Sequence, residues 1–381
     1  MKALAISTTV ALGLIATTIG WFFIRSDPMG GEPVVVIAID PTNRPMNGGS
    51  AAIVPDVKII TPRVPLPSSG PVQQTVPSQA FSGSAELPVA GVSQPEAPVA
   101  SSGKAQDVVL LPVPQRSVVE TSRYGPLPKI ASDGSRPSQV YARPSNGAAN
   151  TGPGQSARIA LLITGMGLSE VATTQAISSL PGPVSLAFGP YGRNLDGWVR
   201  KSRDAGHEVM LEVPLEPFDY PDNDPGPHTL LTSLPPEENI KRLHWIMSRF
   251  TGYTGITNQM GAKFAAAQDS FLPVLEEVKS RGLLYLDDGT AGRSTAGQIA
   301  RDLGLDFSVS QITVDEERNG KEIDLALKKL EMLAQENGIA IGIGSSLPLT
   351  IGRVAEWVST LKAKGIELIP VSAAVLSGKQ T

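Results

Sequence analysis

Five short apolar runs, each followed by a small polar or acidic cluster, constrain the fold of this chain more than any other feature. The runs lie at residues 159–163, 209–213, 255–257, 283–286 and 339–343. Continuous apolar runs of this length, bounded by turn residues, are typical of strands buried on both faces. Such strands occur in parallel sheets covered by helices. The sequence therefore predicts an α/β fold whose ligand site lies in the loops after the strands.

Glycines mark the ends of the helices expected between these strands. A glycine follows an amphipathic stretch and precedes an apolar run at Gly206, Gly282, Gly304, Gly338 and Gly365. Glycine commonly ends a helix in this way because it adopts the left-handed conformation without steric cost. Strand candidates begin near residues 159, 184, 209, 255, 283, 307, 339 and 366. This alternation indicates a closed or nearly closed barrel of seven or eight βα units, with a doubly wound open sheet as the alternative.

Residues 27–156 differ in composition from the rest of the chain. They hold more than half of the 33 prolines, mixed with Ser, Gly, Ala and Val. A segment of this kind buries too little apolar surface to offset its ordering entropy, so we expect a disordered tether. Near its end, residues 124–128 and 139–143 carry apolar anchors. These stretches either pack on the following domain or belong to a slightly hydrophobic linker.

The first 26 residues contain an uncharged apolar run at residues 3–24. The run is long enough to cross a bilayer core of about 30 Å as a helix. It ends in an aromatic cluster and Arg25, without a small-residue cleavage site, which favours an uncleaved anchor over a secretory signal peptide. We therefore expect a single-pass inner-membrane protein with a periplasmic globular domain. The flanking charges, Lys2 and Arg25, give only a small bias in orientation.

Charge and cysteine content exclude several classes of function. The net charge is -4 and the pI is about 5.6, so the sequence shows no basic surface for nucleic acid. The chain has no cysteine, which excludes disulfides and cysteine-based zinc sites. The cluster at residues 164–170 is close to a dinucleotide-binding G-x-G-x-x-G, but Glu170 stands at the third glycine position. This departure argues against a nucleotide site.

The five polar clusters, taken in order, resemble the divergent polysaccharide deacetylases, relatives of the carbohydrate esterases with a distorted, NodB-like (β/α) barrel. The resemblance covers residues 158–374, and the clusters that carry it are residues 164–167, 214–217, 258–261, 287–290 and 344–346. It implies a barrel of about seven parallel strands over residues 157–376, followed by a tail at residues 377–381. It also implies an envelope polysaccharide as the substrate. The amino-terminal apolar run and the tether resemble those of a membrane-attached branch of the family.

The polar residues at these strand ends depart from the family pattern. Thr164 and Gly165 stand where family members carry an Asp-Asp pair, and Gln259 and Ser345 each stand where they carry a histidine. A hydrolytic metal site needs oxygen or imidazole donors that converge on one ion and leave a position open for water. Because three of the expected donors are absent, we expect neither a metal nor another cofactor.

Carboxylates and amides remain at the strand ends as candidate site residues. By the resemblance, the catalytic candidates are Asp287 and Glu216, and the substrate-binding candidates are Asn258, Gln259, Arg293 and Asp288. Carboxylates at strand ends can share a raised pKa and act as general acid and base. Equally, they can cap helices and pair with Arg293.

The three histidines do not replace the missing donors. His207 begins a strand at its amino end, and His244 lies within an amphipathic helical pattern, so both are expected to be structural. His228, at the end of the acidic and proline-rich loop of residues 219–228, is the histidine best placed for chemistry.

Two classes of function follow from these observations. One is a membrane-anchored hydrolase that removes acetyl or similar groups from an envelope glycan in a rearranged site. The alternative is a catalytically inactive barrel that binds a glycan or a protein partner. Since a fold does not establish chemistry, the sequence leaves both open.

Overall fold

The computed structural model describes residues 108–145 and 156–377. The predicted membrane segment, the first part of the predicted tether and the last four residues lie outside this range. Within the described range, none of the helices is both long enough and apolar enough to cross a membrane.

A small structured segment precedes the barrel. It contains the antiparallel strands β1 (Val119–Ser122) and β2 (Gly125–Pro128) and the short helix α1 (Pro137–Val140). Val118, Ala131 and Tyr141 are buried together and form its own apolar cluster. Of the two alternatives for residues 124–128 and 139–143, the structure therefore agrees with packing as a folded element and not with a slightly hydrophobic linker.

Polar contacts join this segment to the amino-terminal ends of the barrel strands. The Arg203 guanidinium donates to the Tyr141 carbonyl oxygen at 2.9 Å, and Arg136 forms a 2.8 Å ion pair with Asp306. The main-chain N–H of Arg143 donates to Glu208 at 3.1 Å. Residues 108–145 are thus structured, and the predicted tether does not extend as one disordered stretch to residue 156.

Nine strands form one sheet, and all of its pairings are parallel. The strands are β3 (Ala157–Met166), β4 (Ser185–Phe188), β5 (Val209–Leu215), β6 (Gly255–Met260), β7 (Leu284–Asp287), β8 (Phe307–Val309), β9 (Ile312–Thr313), β10 (Ile339–Ser345) and β11 (Ile366–Ile369). Their order is β8-β7-β6-β5-β4-β3-β10-β9, and β11 pairs with the first half of β3. The eight predicted strand starts lie within two residues of observed strands, and β9 is additional.

Helices follow most of the strands, and all except the last, α10, cover the outside of the sheet. They are α2 (Glu170–Ser179), α3 (Leu195–Asp204), α4 (Pro236–Met247), α5 (Ala262–Ala266), α6 (Gln268–Ser280), α7 (Ala296–Leu303), α8 (Gly320–Asn337), α9 (Pro348–Leu361) and α10 (Val371–Ser377). The five glycines predicted to stop helices all have positive φ, between 67° and 88°. Their predicted role in ending helices is confirmed, because only glycine adopts this conformation without strain.

The sheet curls until its two edges meet. Strands β8 and β9 lie at opposite edges of the sheet, yet only Ser310 and Gln311 separate them in the chain. The N–H of Ser310 donates to the main-chain carbonyl of Asp287 in β7, and the N–H of Gln311 donates to the main-chain carbonyl of Ile341 in β10, each at 2.9 Å. Neighbouring residues therefore bridge the two sides. The predicted distorted parallel barrel is confirmed in the coarser form of a parallel half-barrel, which has nine strands instead of about seven, and β8 and β9 do not pair with each other.

The core has two apolar layers. The larger lies between the sheet and the outer helices and includes Leu161, Leu211 and Tyr285. The smaller fills the inside of the barrel and includes Leu162 and Met210 together with side chains of α10. Because side chains of a strand alternate between faces, each strand contributes to both layers, which explains its continuous apolar sequence.

Candidate functional site at the barrel mouth

The inner face of the barrel becomes polar toward the carboxyl ends of the strands. Met210 and Leu286 lie in the inner layer, so alternation places Glu212 and Asp288, two residues further along, on the same face. Thr257 pairs with both Glu212 and Leu286 in the sheet register and shares that face. We define the barrel mouth by the polar residues that this alternation places inside, namely Thr164, Glu212, Thr257, Gln259, Asp288 and Ser345.

Glu212 is the most buried acid of the mouth, with 3% of its surface exposed. The pairing of β3 with β4 shifts between Ile163 and Met166, and within this irregularity Gly165 has a φ of 78°. The Gly165 N–H donates to one oxygen of the Glu212 carboxyl. Burial raises the pKa of Glu212 to about 7, although the hydrogen bond from Gly165 opposes this. The group can therefore exist in either protonation state near neutral pH.

Thr257 lies beside Glu212 on the neighbouring strand and is fully buried. Its hydroxyl oxygen has no hydrogen-bond partner within the described residues. A buried hydroxyl without a partner costs about 1–3 kcal/mol, and most buried polar groups in folded proteins are paired. The Thr257 hydroxyl thus has hydrogen-bonding capacity that the described residues do not use.

Asn258 connects the ends of β6 and β7. Its side-chain oxygen accepts from the Tyr285 hydroxyl at 3.1 Å and from the Asp288 N–H at 2.9 Å. Its amide donates to the Met260 carbonyl at 2.7 Å and helps to hold Met260 at a φ of 59°. Gln259 lies between Asn258 and Met260 in the chain, and its side chain makes no hydrogen bond to the described residues. Asn258 therefore fixes the loop, while Gln259 remains free to bind.

The two acids after β7 differ in their surroundings. The Asp287 carboxylate accepts from the Gly289 N–H at 2.9 Å and from the Ser294 hydroxyl at 2.6 Å, so both of its oxygens stabilise the loop. Asp288 accepts from the N–H and the hydroxyl of Thr290. Burial raises the pKa of Asp288, and the charge of Asp287 adds to the increase.

Glu216 and Arg293 do not join the residues at the ends of β6 and β7. Glu216 accepts from Thr232 and forms a 2.7 Å ion pair with Lys263 at the start of α5. Burial raises the pKa of Glu216, but these donors outweigh it and leave the pKa lowered. Arg293 is exposed and has neither an ion pair nor a hydrogen bond to the described residues.

Two of the residues at the missing-donor positions, Thr164 and Ser345, form side-chain hydrogen bonds within the protein. The Thr164 hydroxyl donates to the Gly344 carbonyl at 3.2 Å, and the hydroxyl of Ser345 donates to Asp315. Across residues 108–145 and 156–377, no three His, Asp, Glu or Cys side chains are grouped so that they could hold a metal ion. The donor set of the mouth therefore does not fit the metal site expected of a deacetylase.

Exposed apolar side chains surround the mouth. They lie at the last residue of a barrel strand or in or just after the loop that follows one, at Leu168, Phe218, Met260, Val309 and Leu349, and Phe218 is 64% exposed. We call them the apolar rim. A polar centre with an apolar margin is typical of ligand pockets.

The histidines lie apart from the mouth. His228 stacks on Trp245 with ring centroids 3.5 Å apart, and burial together with the charges of Arg242 and Arg249 lowers its pKa. His207 lies within hydrogen-bonding distance of the Val184 carbonyl. The expectation that His207 is structural agrees with this contact, and His228 is placed against α4.

Sequence reasoning missed Glu212 as a site residue. The run at residues 209–213 was read as an apolar strand, and its one charged residue was not singled out. That charge was the available signal, because an acid in a strand buried on both faces requires a special environment. Thr257 carried no comparable signal, since threonine is common in strands.

Comparisons with known proteins bear on this domain. The family model described as divergent polysaccharide deacetylase matches residues 161–375. A crystal structure of an uncharacterized protein from Agrobacterium tumefaciens C58 is 39% identical, covers 66% of this chain and 99% of its own, and has a TM-score of 0.63. The uncharacterized protein YibQ of Escherichia coli (strain K12) is 23% identical over 209 residues, which span 55% of this chain and 65% of that protein. An uncharacterized protein of Haemophilus influenzae is also 23% identical, over 51% of this chain and 68% of its own length.

Proposed function

Because the chain belongs to the divergent polysaccharide deacetylase family, we propose that its barrel mouth binds an envelope polysaccharide without metal-dependent deacetylation. The observation that carries this proposal is the contrast between two sets of groups. Glu212, Thr257 and Gln259 have unused hydrogen-bonding capacity on or beside the inner face. The donors required for a hydrolytic metal do not converge within the described residues.

The chemistry of the mouth suits a polyhydroxylated ligand. A sugar hydroxyl both donates and accepts, and Thr257, Gln259 and Glu212 offer partners of both kinds. The apolar rim, with Phe218 and Met260, gives the C–H faces of a sugar a surface to cover. Asn258 and Asp287 act as positioning residues in this proposal, because their side chains hold the loops that carry Gln259 and Asp288.

A second candidate function is hydrolysis without a metal. The pKa of Glu212, raised by burial to about 7, suits a general base at neutral pH. Glu212 would take a proton from a water that attacks the acetyl carbonyl and would then give it to the sugar nitrogen or oxygen, so that its bond to the acetyl carbon breaks and acetic acid and the free amine or hydroxyl form. Glu212 thus replaces Asp287 and Glu216 as the favoured acid–base group, because the oxygens of those two residues are held by protein donors.

The two candidates separate in one experiment on the purified full chain. N-acetylglucosamine oligomers are supplied in the presence of a chelator, and binding and acetate release are measured together. The proposal expects saturable binding with no acetate release. Release that persists with the chelator and disappears in Glu212→Gln would establish the second candidate. Release that the chelator abolishes, or the absence of any binding, would refute the proposal.

We further propose that residues 1–26 anchor the protein in the inner membrane and that the domain lies in the periplasm. The uncharged run at residues 3–24 and the proline-rich segment after it support this placement. A reporter that requires export, fused after Thr381, should be active. Activity of a reporter that works only in the cytoplasm would overturn the proposal.

A further inference from the structure

The charged side chains that strand alternation places on the inner face of the barrel mouth are acidic. Glu212 on β5 and Asp288 after β7 lie on the inner face, and Asp315, after β9, binds Ser345 beside them. Lys263 forms its 2.7 Å ion pair with Glu216, and within the described residues Glu212 has no ion pair with a basic side chain. The mouth therefore favours a ligand that brings a positive charge.

The unpaired Thr257 hydroxyl adds an independent constraint on that ligand. It is fully buried, and the sheet register places it beside Glu212 on the inner face. An alkylammonium group has three N–H donors and no acceptor. The Glu212 carboxylate, the Thr257 hydroxyl and the side-chain oxygen of Gln259 are three acceptors. The number and kind of groups thus match one ammonium.

We infer that the barrel mouth recognises a sugar carrying a free amino group, whose ammonium binds between Glu212 and Thr257. This inference rests on the proposed glycan-binding function and specifies its ligand. An N-acetylated sugar fits the same place less well, because its carbonyl oxygen would face an acid without a charge to offset it. A divalent cation fits less well too, since the described residues bring together fewer than three ionisable donors.

The test is calorimetric titration of the purified full chain at pH 7 with a chelator present. The two probes are a glucosamine oligomer and its fully N-acetylated counterpart of equal length. We expect the amino oligomer to bind about tenfold more tightly, the gain of one charge-assisted contact. Glu212→Gln should reduce this preference to less than about threefold, because the substitution removes the charge that faces the ammonium.

Control variants remove ambiguity from this test. Glu276→Gln makes the same charge change on an exposed residue of α6 and should keep the full preference, which excludes a general effect of net charge. Thr257→Val should also reduce the preference for the amino oligomer, because it removes the hydroxyl that accepts from the ammonium. Thermal unfolding of each variant verifies its fold.

The outcomes distinguish this inference from the proposed function. Equal binding of both oligomers would overturn the amino-sugar inference and leave glycan binding intact. A preference that persists in both Glu212→Gln and Thr257→Val would also overturn it. Binding of neither oligomer would refute the proposed function itself. Stoichiometric binding of Mg²⁺ or Zn²⁺ without chelator, lost in Glu212→Gln, would show a metal site instead.

Discussion

The Glu212 carboxyl accepts a hydrogen bond from the main-chain N–H of Gly165, which joins the middle of β5 to the irregular end of β3. Gly165 adopts a φ of 78° there, and an added Cβ would lie 2.8 Å from the Ser346 hydroxyl oxygen. Glycine is therefore suited to this position on both conformational and steric grounds. Gly165 stands at a position where the resembled family carries an acid. In this chain its main-chain N–H donates to a different acid, Glu212 of β5.

Stability should respond to pH through Glu212. The folded pKa is about 7 and the ordinary value is 4.5, so between these values the folded state binds the extra proton. Its contribution is fully present below pH 4.5 and is lost as pH rises through 7. Glu212→Gln should therefore stabilise the protein relative to wild type by on the order of 2 kcal/mol more at pH 8 than at pH 5.

Urea denaturation of both proteins at the two pH values measures this difference. Glu208 is also buried and its pKa is raised by burial, but it is present in both proteins and cancels in the comparison. A difference that is independent of pH would mean that Glu212 titrates normally.

Substitution of Asn258 should mainly lower the free energy of unfolding, whereas substitution of Gln259 should mainly weaken oligosaccharide binding. Asn258→Ala removes three hydrogen bonds and leaves the buried Tyr285 hydroxyl without its partner, so we expect a loss of about 3 kcal/mol in the free energy of unfolding. Gln259→Ala removes no hydrogen bond within the protein and should change stability by less than about 0.5 kcal/mol while weakening oligosaccharide binding. The opposite assignment of the two effects would contradict the site described.

Thr257→Val should increase stability and decrease ligand binding. The change keeps the shape of the side chain and removes a buried hydroxyl that has no protein partner, so the unfolding free energy should rise by about 1 kcal/mol. Thr257→Ser, which keeps the hydroxyl, is the matched control and should retain binding. Destabilisation by Thr257→Val would show that the hydroxyl has a structural partner.

The segment before the barrel should be required for its stability. A variant lacking residues 1–107 should unfold at nearly the same temperature as the full chain. A variant lacking residues 1–155 should lose more than about 3 kcal/mol, because it removes the buried Tyr141 and the hydrogen bonds that Arg203 and Glu208 make with this segment. Equal unfolding temperatures for the two variants would place the domain boundary at residue 156 after all.

The sequence predicted the barrel well because its signals are local. Apolar runs and helix-ending glycines such as Gly282 and Gly338 depend on a few neighbouring residues. Strand β9 was not predicted, and packing of residues 124–128 and 139–143 on the domain was one of two open alternatives, because two residues or a proline-rich stretch carry no periodic pattern. Their order comes from contacts distant in sequence, such as that of Arg136 with Asp306.

The site was predicted only in part, since the resemblance directed attention to the residues after the strands. It identified Asn258, Gln259 and Asp288, which lie together at the ends of β6 and β7. It could not reveal that the oxygens of Asp287 and Glu216 are held by protein donors, because those partners follow from loop conformation. Nor could it pair Glu212 with Gly165, because 47 positions and a strand irregularity separate them.

The most direct test of this account is carbon-13 NMR of Glu212 during titration with the glucosamine oligomer at pH 7. The carboxyl signal is assigned by its absence in Glu212→Gln. The account predicts that this signal moves toward the ionised form and saturates with the same midpoint as binding, while the signal of Glu276 stays constant. Saturable binding that leaves the Glu212 signal unchanged would contradict it, because the ligand would then lie outside the barrel mouth.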